Sequence, residues 1–179
     1  NLRAEKAIDC TKVVAPMQSE SNCWFNTLFM TFFVSDKGRK FFRFFRQLMI
    51  EGKLANGKKI TPPKLAQAFF LFNAAIEASI NPRSDGGGTN LASLMNTNNL
   101  INAIYSAMPS KARNYYASIV QMGKANNPMA YYFDIIHYLY EYGGPSGDYL
   151  HGKDLLVLKI NIERLQTLIS DGRASHLPD

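Results

Sequence analysis

Twelve consecutive residues at 23–34, Cys-Trp-Phe-Asn-Thr-Leu-Phe-Met-Thr-Phe-Phe-Val, are apolar on nearly every side when wound at helical period. A helix of this kind has no face to give to water, so the rest of the chain must enclose it. A length of 179 residues is enough to do so within one domain, or part of one, over residues 1–179. The flanking patterns supply the enclosing layer. Phe41, Phe42, Phe44, Phe45, Leu48 and Met49 recur at helical spacing with Arg39, Arg43, Arg46 and Gln47 mainly elsewhere, which predicts a basic amphipathic helix ending near Gly52. Asn56-Gly57 marks a turn, and Pro62-Pro63 opens a further helix over 65–80. Helical patterns follow at 91–108, 110–123 and 129–142, bounded by Pro109, by Asn126-Asn127-Pro128 and by Gly143-Gly144-Pro145.

One segment reads as a strand, Asp-Leu-Leu-Val-Leu-Lys-Ile at 154–160, with a short polar helix expected after it at 161–169. A lone strand makes no sheet, so the pattern predicts an α+β domain whose β part is under-represented, with Lys12-Val13-Val14 as a pairing candidate. The Gly-rich stretch 83–90 lacks the Gly-Lys-Ser/Thr ending of a phosphate cradle and reads as a loop.

The formal charge of +6 is concentrated: residues 36–64 hold nine basic and two acidic side chains, nine minus two or +7. Such a patch suits nucleic acid, an anionic lipid surface, an acidic neighbour or merely a solvated face, and no nucleic-acid reading motif accompanies it. No run of about 18 apolar residues predicts a membrane span. Two cysteines and three histidines are too few for a disulfide scaffold or a four-ligand zinc site, so neither metal nor cofactor is expected, and a reducing compartment is. No secretory leader is read in the sequence. The tyrosines at 131, 132, 138, 140, 142 and 149 fit a recognition surface or internal packing equally.

The chemistry-bearing stretch is Gln18-Ser19-Glu20-Ser21-Asn22-Cys23-Trp24-Phe25-Asn26. A thiol at the first turn of a buried helix feels the partial positive charge of unpaired amide hydrogens, which favours the nucleophilic thiolate. An upstream amide such as Gln18 can donate to the oxyanion formed after attack on a carbonyl. Cys10 has no such neighbours. For the acid–base partner, His137 lies inside a helical run, His176 near the end of the sequence, and His151 in a Gly-rich turn beside Asp148 and Asp154, which is the best local setting.

An amide five residues before the cysteine, an aromatic after it and Asn three after resembles the catalytic box of papain-like cysteine peptidases, especially ubiquitin-specific peptidases. Gln18, Cys23, Trp24 and Asn26 match position by position, whereas that family usually has Asn at the place of Gln18 and Gly at the place of Glu20. The strand at 154–160 is similar to the one preceding the family's catalytic His. The wording of 18–46 also resembles thiol-peptidase-like proteins of large cytoplasmic DNA viruses. The resemblance implies a papain-like fold represented mostly by its helical subdomain, and peptide or isopeptide cleavage through Cys23 and Gln18, with a His outside this span or His151, the best local setting, completing the dyad. It implies a protein substrate or ubiquitin-like partner, and a location in host cytoplasm or virion. The alternative is a catalytically silent minor capsid or virion component on the same scaffold, packed against neighbouring capsid proteins.

Overall fold

The computed structural model describes residues 8–81 and 95–142, and over these the chain is helical. The apolar run forms α1 (Cys23–Leu28), which continues directly into a π-helical turn, Phe29–Val34. The wider turn closes where Ser35 N–H donates to Met30 O at 2.8 Å, and it carries Phe29, Phe32, Phe33 and Val34 all inward. Ser35 then caps α2 (Asp36–Phe41): its Oγ accepts from Gly38 N and donates to Thr31 O at 2.7 Å. A single non-helical residue, Phe42, separates α2 from α3 (Arg43–Glu51).

Gly52 ends α3 in the left-handed conformation, its N–H returning to Leu48 O. A small hairpin follows. Its legs meet at one antiparallel bridge, Lys53 with Lys59, and its turn carries Gly57 at φ 83°. Leu54 and Ile60 anchor it in the core. The long helix α4 (Pro63–Ile80) packs on α3 and on α5 (Thr97–Ala107), while α1 is flanked by α5 and α7 (Pro128–Tyr142). Phe25, Phe29 and Phe33 of the central rod all meet Phe72 of α4, with ring centroids 5.2 to 6.0 Å apart. Phe32 stacks on Phe42 at 4.1 Å. The aromatic face of this helix is therefore enclosed, but the helix is not enclosed on every side as the sequence pattern predicts: Cys23, Thr27 and Thr31 form an exposed stripe.

Two further expectations change. The helix expected over 110–123 stops after α6 (Ser110–Tyr115), and the chain then runs irregularly to the start of α7. Side chains replace the missing helical bonds: Asp134 accepts from Ser118 N, and Asn126 Nδ2 donates to Ser118 O.

The larger correction concerns fold class. No strand or sheet occurs among the described residues, and the expected α+β, papain-like core is not there. The physical reason lies in the pairing candidate. Lys12 ends a short 3-10 turn, and Val14 bonds through both backbone groups to the last turn of α4, Val14 N to Ser79 O and Ser79 Oγ to Val14 O. Its backbone is thereby satisfied without a neighbouring strand. The glycine loop 83–90, the strand 154–160 and the helix 161–169 lie outside the described residues. None of the described helices is long and apolar enough to cross a membrane.

Candidate functional site around Cys23

The residues before α1 turn through two left-handed positions, Glu20 at φ 41° and Ser21 at φ 60°. Non-glycine residues hold such angles only when surrounding contacts over-determine them, and here the contacts are identifiable. Asn22, fully buried, is the pin. Its Oδ1 accepts from Ser19 N at 2.9 Å, and its Nδ2 donates to Met17 O and to Thr97 Oγ1, both at 2.9 Å. Met17 N is held by Met95 O, and Asn98 Nδ2 donates to the carbonyl and hydroxyl of Ser19. The loop is thus stitched to the start of α5, some 75 residues later in the chain.

These bonds have a direction. Because Asn22 donates to Thr97 Oγ1, the Thr97 hydroxyl proton goes to Asn26 Oδ1, at 2.5 Å. Asn26 must then present Nδ2 to Met17 O at 3.2 Å and to Gln18 Oε1 at 3.5 Å. Gln18 accepts at its oxygen, and its Nε2 donors make no hydrogen bond among the described residues. Gln18 and the Cys23 thiol are both exposed, while Trp24 is buried beside them. Trp24 Nε1 donates to Lys124 O at 3.0 Å, and its ring meets Tyr131 edge-on at 4.8 Å. Cys23, Trp24 and Asn26 thus share the first turn of α1, and Gln18, in the loop before it, meets that turn at Asn26.

Of the three histidines, only His137 lies within the described residues. His137 lies six residues beyond Tyr131 on α7, about 9 Å further along the helix axis. Its neighbour Tyr138 donates to Thr61 O, at the chain entering α4. His151 and His176 lie outside the described residues. Cys10 is an exposed free thiol whose Sγ faces Ile8 O at 3.7 Å. No group of three or more metal-ligating side chains occurs among the described residues. Tyr131, Tyr132, Tyr138 and Tyr140 are buried, so packing rather than a recognition surface accounts for them, and burial pushes the Tyr131 and Tyr132 hydroxyls up.

Sequence reasoning missed Asn22 and Thr97. Asn immediately before a buried helix suggests an N-cap, but Asn22 makes no cap bond and braces the loop instead. Asn22→Ala is expected to cost about 2 kcal/mol, because Met17 O, Ser19 N and Thr97 lose buried partners together. A shift of the urea midpoint at unchanged slope checks it. No protein-family model, curated protein or solved structure matches this chain.

Proposed function

We propose that the chain is a thiol peptidase acting on peptide or isopeptide bonds, with Cys23 as nucleophile. The observation that supports this reading is the directed relay from Asn22 through Thr97 and Asn26 to Gln18. It leaves Gln18 Nε2 as an available donor in the loop that leads into the turn carrying an exposed thiol. In the proposed reaction the Cys23 thiolate adds to the scissile carbonyl carbon and Gln18 Nε2–H bonds the resulting oxyanion. The C–N bond then breaks, the amine leaves with a proton from an imidazole, and water hydrolyses the thioester to restore the thiol. That imidazole is His151 or a His outside this span, and the substrate is a protein or ubiquitin-like protein.

The test is intact mass after treatment with a peptide-derived or ubiquitin-derived thiol-reactive electrophile. One adduct is expected, lost in Cys23→Ala and retained in Cys10→Ala, and Gln18→Ala should lower peptide turnover about a hundredfold. Cys10 is an internal control because both thiols are exposed. If Cys23 reacts no faster than Cys10, the peptidase reading fails and the chain is to be treated as an assembly component.

A further inference from the structure

The basic segment 36–64 divides into two populations once folded. Arg39 and Arg46 are buried and paired internally, Arg39 with Asp36 and Arg46 with Asn73 and Glu77. The other seven, Lys37, Lys40, Arg43, Lys53, Lys58, Lys59 and Lys64, are exposed, and none forms an ion pair among the described residues. Against them the segment holds two carboxylates, Asp36, whose partly exposed side chain is paired with Arg39, and Glu51, which already accepts from Gln47 Nε2 at 2.8 Å. Folding therefore keeps the cations that face water and neutralises those that do not.

Their arrangement is costly for the isolated protein. Lys53 and Lys59 stand directly opposite each other across the hairpin's single antiparallel bridge, with Lys58 adjoining. Facing like charges there oppose hairpin formation, and no carboxylate of the described residues relieves them. Along the neighbouring rod of α2 and α3, the exposed residues Lys37, Lys40, Arg43, Gln47 and Ile50 recur every three or four positions. That spacing makes one outward stripe. Two large apolar side chains stand among these charges, Phe41 at 46% exposure and Ile50 at 38%.

We propose that the α2–α3 stripe and the lysine-bridged hairpin form a docking surface for an anionic phospholipid bilayer. Charge complementarity supplies the attraction, and Phe41 and Ile50 supply apolar groups able to enter the headgroup boundary. The composition favours lipid over nucleic acid. Six of the seven exposed cations are lysines, whose stems let the ammonium reach phosphate while an apolar neighbour inserts, and they lack the planar fork that suits base and phosphate readout. Ile50 offers no face for base stacking.

The experiment is co-sedimentation of the full 179-residue chain with phosphatidylcholine vesicles, alone or carrying phosphatidylserine at roughly one lipid in three. Binding is expected only to the anionic vesicles and should be lost in about 1 M salt, where the Debye length is about 3 Å. Lys53→Gln with Lys59→Gln should lower partitioning about thirty-fold, at roughly one basic residue's attraction each. The same pair should leave the melting midpoint unchanged or slightly raised, since the facing charges are gone. Phe41→Ser should lower partitioning several-fold. Failure to sediment with anionic vesicles overturns the proposal, as does sedimentation that neither variant reduces. A chain that ignores vesicles yet retards DNA or RNA in a gel assigns the surface to nucleic acid instead.

Discussion

Gly38→Ala is expected to remove a large share of the fold's stability. A methyl group at Gly38 would lie 2.0 Å from Thr31 O, 2.7 Å from Phe32 O and 2.8 Å from Ser35 Oγ. The first two are backbone carbonyls of the π-helical turn, so no side-chain rotation relieves the overlap. The first turn of α2 would have to lift away from it. Lifting also breaks the Ser35 cap on Gly38 N and disturbs the Phe32–Phe42 stack just beyond. The summed cost is roughly 4 kcal/mol, the top of the range for a single substitution and a large share of a domain's ordinary stability. Gly52→Ala is the control. Gly52 has φ 62°, but its nearest neighbour, Ala66 Cβ, would lie at an ordinary 3.6 Å, so only backbone strain of about 1 kcal/mol is expected. Denaturant unfolding of the two variants side by side separates steric exclusion from conformational preference. Equal midpoints would refute the close crossing of α2 over the rod.

Arg46→Met is expected to cost about 3 kcal/mol. Arg46 is among the most deeply buried side chains, and it clamps α3 to α4 through Asn73 Oδ1, which accepts from Nε at 3.1 Å and from Nη2 at 3.0 Å, and through a direct contact with Glu77. Methionine replaces the stem's packing but leaves the Asn73 carbonyl oxygen buried without its donors. Glu77 is about a third exposed and can rehydrate, which holds the loss to the lower end expected for a broken buried pair. Adding Asn73→Leu removes the stranded amide and should recover most of the stability. The double-mutant cycle therefore shows a strong positive coupling. Additive losses would mean that Arg46 acts by bulk alone.

Arg46 also marks where the sequence was readable and where it was not. The apolar run at 23–34 predicts a helix enclosed on every side, and the structure packs its aromatic residues into the core but leaves Cys23, Thr27 and Thr31 as an exposed stripe. The patterns behind α4 and α7 are equally plain, since their apolar residues recur through four or five turns. Charge is a poorer guide. Arg39 and Arg46 sit in the same basic stretch as seven exposed cations, and only partners three to 31 residues away decide which arginines turn inward. The fold class failed for a related reason. Val13-Val14 has strand composition, but α4's last turn supplies the bonds that a strand would have needed. Of the candidate site, local spacing places Cys23, Trp24 and Asn26 on the first turn of α1, and Gln18 meets that turn at Asn26. The Thr97 hydroxyl that sets their amide directions comes from another helix, and no local pattern announces it.

Trp24 is the only tryptophan in the chain, and it directly follows Cys23. Its indole is almost fully enclosed, with Tyr131 and Phe25 against its ring and Lys124 O on its nitrogen. Emission excited selectively from tryptophan therefore originates from a single place in the molecule. Anything that alters the first turn of α1, or frees the loop that ends on Lys124, changes the colour or yield of that one emitter. The protein carries its own optical gauge at the position where its chemistry is proposed, and no label need be introduced to watch it.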